Sequence, residues 1–173
     1  MNFLGKRSIR KFKDIPVEKE ALDEIIKAVL KAPSGLGKDP CEFIVFNTRE
    51  EVKKLSGIKP RGGISLETAT AAIAVLVNKD KASTLLEDGS VATHTIGLKA
   101  YDLGLGSCWV HMVGRQAVDN QSSEEFFRKI VPIPENLVLF ALVAIGYSDE
   151  DKPEYTEKDL DFNKVSYNKY DKK

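Results

Sequence analysis

The chain has 173 residues, of which 42% are hydrophobic and 30% charged, enough for one well-buried core and short for two. Lys plus Arg and Asp plus Glu number 26 each, a formal net charge of zero, so there is no overall field to draw in nucleic acid or an anionic membrane. No apolar run approaches the roughly 18 to 20 residues of a membrane span. The N-terminus has no apolar signal core, and a cytoplasmic protein is expected. Cys41 and Cys108 are the two cysteines. They lie outside any CxxC spacing, which predicts two buried thiols rather than a disulfide framework or a zinc site.

Against that neutral background, "GKRSIRKFK" (5–13) gathers Lys6, Arg7, Arg10, Lys11 and Lys13 around Ser8. Guanidinium, ammonium and hydroxyl donors at this spacing match a phosphate monoester. A solvated basic strand fits the same segment read alone. Pro16 and the apolar positions Val17, Ala21, Leu22, Ile25, Val29 and Leu30 then predict a helix over about 17–31. "APSGLGKDP" reads as a loop. "EFIVFN" (42–47) and "AAIAVLVN" (71–78) read as buried strands, separated by a short surface helix at "REEVKKLS" and the glycine-rich loop "GIKPRGG" (57–63).

Over about 90–103, Val91, His94, Thr95, Leu98, Tyr101 and Asp102 share one helical stripe, and small Ala92, Gly97 and Ala100 form another face. Small residues permit close packing, which suggests a central helix. "GLGS" (104–107) follows a helix and precedes a strand, the reverse of the dinucleotide-binding order. Gly104 is therefore expected to end the helix in a left-handed conformation. "SCWVHMV" (107–113) reads as a strand. Ser122 and Glu125 form a capping-box pattern ahead of a helix, and "LVLFALVAIGY" (137–147) has the apolarity of a buried strand. The tail from Ser148 is polar with scattered aromatics, a segment that seldom packs on its own domain alone. Four strands and several helices give a layered α+β domain. No metal-ligand spacing, GxxxxGK[ST], HExxH or GxSxG is present, and in a strand Cys108 and His111 point to opposite faces.

In order and separation, "KRSIRKF", "APSGLGKDPCEFIVF", "EDGSVATHTIGLKAYDLGLGSCWV" and "LVLFALVAIGY" resemble the nitroreductase family of FMN-dependent oxidoreductases over about residues 4–147. The resemblance implies a nitroreductase-like layered fold: a central, mainly antiparallel sheet flanked by helices in an FMN-binding domain (1–147). A C-terminal arm (148–173) would be exchanged across a homodimer. It places Lys6, Arg7, Ser8 and Arg10 at the FMN phosphate and ribityl chain, and Pro33, Ser34 and Gly35 at the flavin of the other subunit. Trp109, Val110, His111 and Met112 would lie along the ring, His111 through its backbone. Lys158 is the tail cation that would return to the phosphate, with Lys59 a second candidate. Gly37, Asp39 and Cys41 stand where the family carries Asn, Gln and Trp, and residues 57–66 are all that remains of a covering insertion.

The activity so implied is ping-pong hydride transfer from NADH or NADPH through flavin N5 to a small-molecule electron acceptor such as a nitroaromatic or quinone. No catalytic protein residue, nucleic acid or membrane is involved. A flavin-binding module without turnover, reductive dehalogenation and flavin destruction are the alternatives.

Overall fold

The computed structural model describes residues 3–170. Its frame is one four-stranded antiparallel sheet, formed by β1 (Cys41–Phe46), β2 (Ala71–Asn78), β3 (Gly106–His111) and β4 (Leu137–Gly146) in the order β1-β2-β4-β3. The apolar runs of the sequence thus fall where expected. β2 and β4 lie in the middle and are apolar on both faces because helices cover both sides.

On one side pack α1 (Lys19–Val29) and α4 (Leu85–Asp102), meeting Ile73, Val75, Val77, Val143 and Ile145. On the other lie α2 (Arg49–Lys53), α3 (Ser65–Thr68) and α5 (Ser123–Ile130), with Ile9 and Phe12 of the N-terminal segment. The Ser122 hydroxyl accepts from the Glu125 amide at 3.1 Å, and the Glu125 carboxylate accepts from the Ser122 amide at 2.8 Å, so α5 starts on the expected capping box.

The β2/β4 pairing is interrupted once. Val75 faces Ala141 and Leu76 faces Leu139, which leaves Phe140 as an extra residue on β4. A bulge of this kind re-aims a side chain: Phe140 and Ala141 both lie on the α4 side.

α4 begins at Leu85, five residues before the start read from the sequence, because the intervening polar residue is held inside. Asp88 is only 4% exposed, its carboxylate accepting from the Thr84 hydroxyl at 3.2 Å and from the Gly35 amide at 2.7 Å. The small-residue face is the inward one, with Gly89, Ala92, Ile96, Gly97 and Ala100 buried, while Val91 and His94 are exposed. Gly104, at φ +77°, ends the helix in the left-handed region.

Residues 147–155 run along the chain's own N-terminal segment. Lys13 donates to the Tyr147 carbonyl (2.9 Å), Asp149 to that of Lys11 (3.0 Å) and Tyr155 to that of Leu4 (3.0 Å). The backbone of the first part of the tail thus finds partners within its own chain. Phe162 and Tyr167 further along are exposed. Cys108 is buried as expected, whereas Cys41 is only half-buried.

Candidate flavin site

β3 is an edge strand, and its free edge organises the site. Ile9 donates to the Ser107 carbonyl at 3.0 Å in a parallel bridge between Ser8 and Ser107, so the backbone groups of Ser107 point away from β4. By strand alternation those of Trp109 and His111 do too, beyond the reach of that bridge. Met112 has the opposite parity and donates to Phe140 at 3.0 Å.

The side chains of Ser107, Trp109 and His111 share the α4 side of the sheet. Trp109 is 41% exposed, with its ring 6.0 Å from that of Phe140. His111 stands edge-on to Phe140 at 5.3 Å. Phe140 reaches this position through the bulge and packs against Gly89 of α4. Val110 and Met112 are buried on the other side, in the core shared with α2 and α5. Their side chains are therefore closed to a ring at the β3 edge.

At the start of β3, Gly97 leaves room for Lys6: a Cβ there would lie 3.5 Å from Lys6 Cε and 3.6 Å from Nζ. The ammonium group sits in a cleft lined also by Tyr101, Ser107 and Lys152. Arg7, by contrast, is engaged by the tail. Its guanidinium donates to the Pro153 carbonyl and lies 4.2 Å from the centre of the Tyr155 ring. The Ser8 carbonyl accepts from Lys152 Nζ at 2.6 Å, and the Arg10 amide donates to Glu150 while its side chain is exposed. Lys158 is exposed on the turn 157–159, next to Asp159. Hydrogen bonds from Thr156, and beyond them the charge of Arg7, hold the Asp159 carboxyl below its usual range.

Pro33, Ser34 and Gly35 lie elsewhere. Ser34 pairs within its own loop, donating to Asp39 Oδ1 at 3.0 Å and accepting from the Asp39 amide at 2.9 Å. Gly35 is pinned to Asp88, and a Cβ at Gly35 would come within 2.1 Å of Thr84 Oγ1. The loop borders a largely apolar cleft with Cys41, Phe43 and Ala92. Burial, and then the charges of Asp88 and Asp39, push the Cys41 thiol up to about 11.

Asp88 and Gly97 are nine residues apart, roughly 13 Å along the axis and about 180° around it. Loop 33–35 and Lys6 thus occupy opposite rims of α4. One copy of the chain does not bring them together.

Lys59 does not join the N-terminal cations. It gathers with Arg115 and His111 at the far end of β3, where burial and then the charges of Arg115 and Lys59 lower the His111 pKa. Burial, followed by Arg115, lowers that of Lys59 as well. Asp88, Phe140 and Arg115 were not singled out in the sequence. Asp88 was hidden by its polarity inside an apolar pattern, and Phe140 by a bulge that no periodicity reveals.

The nitroreductase family model matches residues 4–74 and 59–147. A protein of Archaeoglobus fulgidus, provisionally named an NADH dehydrogenase/NAD(P)H nitroreductase, is 36% identical over 162 residues, 91% of this chain and 89% of that one. An FMN-dependent nitroreductase from Clostridium difficile superposes with a TM-score of 0.91 at 41% identity, covering 96% of this chain and 97% of its own. A nitroreductase from Desulfitobacterium hafniense with bound FMN shares the fold, at TM-score 0.73 and 23% identity over 96% and 98% of the two chains. Sheet order, β3 edge and these likenesses agree: the chain belongs to the nitroreductase family.

Proposed function

We propose that the chain is an FMN-dependent oxidoreductase that takes hydride from NADH or NADPH and delivers it to a nitroaromatic, quinone or similar acceptor. It works as a homodimer whose sites draw on both copies. The observation that carries this reading is the β3 edge, where outward backbone groups at Trp109 and His111, taken up by no neighbouring strand among the described residues, continue from the cleft that holds Lys6. These donors suit FMN, a flat polar heterocycle ending in a phosphate.

Lys6, Arg10 and the Ser8 hydroxyl would hold the phosphate, with Lys158 arriving from the tail. The Trp109 and His111 amides would meet the ring's heteroatoms. Val110 and Met112 contribute only by keeping the strand in place. Pro33, Ser34 and Gly35 would serve the site of a second copy, which explains why they sit on the opposite rim of α4 from their own Lys6. The exposed aromatics beyond 160 would order against that copy. When bound, FMN supplies the centre that accepts and returns hydride, so the protein needs no acid or base of its own there. The chain's task is to bind, orient and leave one face open.

The test is spectroscopic and kinetic. The purified protein, alone or after incubation with FMN, is expected to show flavin absorbance, to lose it on adding NADH or NADPH, and to regain it with menadione or a nitroaromatic. A protein that takes up no FMN overturns the reading. One that binds FMN without oxidising NAD(P)H is a flavin module without turnover.

A further inference from the structure

Beyond the β3 edge lies a second concentration of positive charge that the flavin phosphate does not account for. Lys59, Pro60, Arg61, Arg115, Gln116 and Ala117 line one surface cleft. It begins where β3 ends, since Arg115 closes a turn by donating to the Met112 carbonyl at 3.0 Å, immediately after His111. The length of β3 separates it from Lys6, about 17 Å for five strand residues.

Two loops distant in sequence are stitched together to make this cleft. Val118 donates to the Gly57 carbonyl at 3.0 Å, and the buried Ser123 hydroxyl donates to that of Ile58 at 2.7 Å. Within the first loop Gly63 donates to the Lys59 carbonyl at 2.9 Å. These bonds hold Lys59 and Arg115 near each other although their charges repel. The acidic residues beside Arg115 are committed elsewhere. Glu124 is bound by Arg128 at 2.7 Å, and Glu125 caps α5 on Ser122. Among the described residues Lys59, Arg61 and Arg115 form no ion pair. A group of like charges on two tethered loops, without an ion-pair partner among the described residues and opening beside a binding edge, is matched by an anion.

We propose that Lys59, Arg61 and Arg115 form an anion subsite on the substrate side of the flavin position, taking a carboxylate, sulfonate or phosphate carried by the molecule that exchanges hydride there. This rests on the oxidoreductase reading for its location. It adds that the preferred partner molecule is negatively charged. Two sources share that chemistry: an aromatic acceptor bearing an acid group, and the 2′-phosphate of NADPH.

The experiment uses FMN-loaded protein and two ratios of kcat/KM: 4-nitrobenzoate over 4-nitrobenzyl alcohol with NADH, and NADPH over NADH with menadione. At least one ratio should exceed unity in the native protein and fall by about tenfold in Arg115→Gln, the weight of one charge-assisted hydrogen bond. Arg115→Lys should restore part of it. A fall in the first ratio assigns the subsite to the acceptor, and a fall in the second assigns it to the dinucleotide. If both ratios are the same in the native protein, Arg115→Gln and Lys59→Gln, the proposal is overturned while the oxidoreductase reading stands. If no NAD(P)H is oxidised, that reading fails, and calorimetric titration of 4-nitrobenzoate decides. Binding lost in Arg115→Gln supports the subsite, and no binding refutes it.

Discussion

The Gly35 amide donates to the Asp88 carboxylate at 2.7 Å, across 53 positions of sequence, and this bond ties the loop that would serve a second copy to the first turn of α4. The other carboxylate oxygen takes the Thr84 hydroxyl, so a single buried group fixes both the loop and the start of the helix. Asp88→Ala should therefore cost about 1 to 3 kcal/mol in urea unfolding, because it leaves the Gly35 amide without its acceptor. It should also hasten proteolysis within 33–40. Unchanged stability and cleavage would mean that the bond contributes nothing.

Charge at the head of the β3 edge is expected to divide by role. Lys6→Ala and Arg10→Ala should each weaken FMN binding by about tenfold or more, with a shallower dependence on salt. Arg7→Ala acts differently, since the Arg7 guanidinium holds Pro153 and stacks on Tyr155. It should loosen the tail, seen as faster tryptic cleavage after Lys158. Fluorescence titration with FMN and a proteolysis time course separate the two effects. Equal losses of FMN affinity with no change in cleavage would argue against the division.

Gly97 tests the cleft by size. Gly97→Ala brings a Cβ to 3.4 Å from Ser107 Oγ and 3.5 Å from Lys6 Cε, which a flexible lysine can accommodate. Its cost should be offset by up to about 1 kcal/mol of helix propensity. Gly97→Leu fills the space that Lys6 occupies and should lower FMN affinity far more than it lowers the melting temperature. Equal FMN affinity in the two variants would show that Lys6 has no part in binding.

His111 carries a pH signature. Its pKa is depressed below 6.5 in the folded chain, by burial first and then by Arg115 and Lys59, so the unfolded state binds the proton more tightly. Its contribution to stability then rises with pH and is complete above the ordinary value near 6.5. As the pH falls below that value, protonation favours unfolding. Arg115→Gln should raise the His111 pKa in an NMR titration. A pKa unmoved by the substitution would place the two groups too far apart to interact.

The four strands and most of the helices were legible because each rests on local patterning, whereas the four-residue α3 was not read from the sequence. Unbroken apolar runs at 71–78 and 137–147 belong to strands buried on both faces, and Ser122 with Glu125 announces a helix by a contact between neighbours in the chain. Gly104 reveals itself by the conformation it alone adopts cheaply. The basic character of 6–13 and the family resemblance were equally plain, since both are written in residue type and order.

What only the tertiary structure decided are the relations between segments far apart in sequence. Phe140 lies beneath Trp109 and His111 because one extra residue in β4 shifts a register, and a period-2 pattern does not show on which side of the slip a ring will fall. Asp88 is polar, so in the sequence it marks a boundary, yet in the fold it is an anchor. Which cations share a cleft is likewise set by how loops 57–63 and 112–123 are laced together: Lys59 faces Arg115 rather than Lys6. Side-chain chemistry is fixed residue by residue, but charges and rings act through distance, and distance is a property of the packed chain.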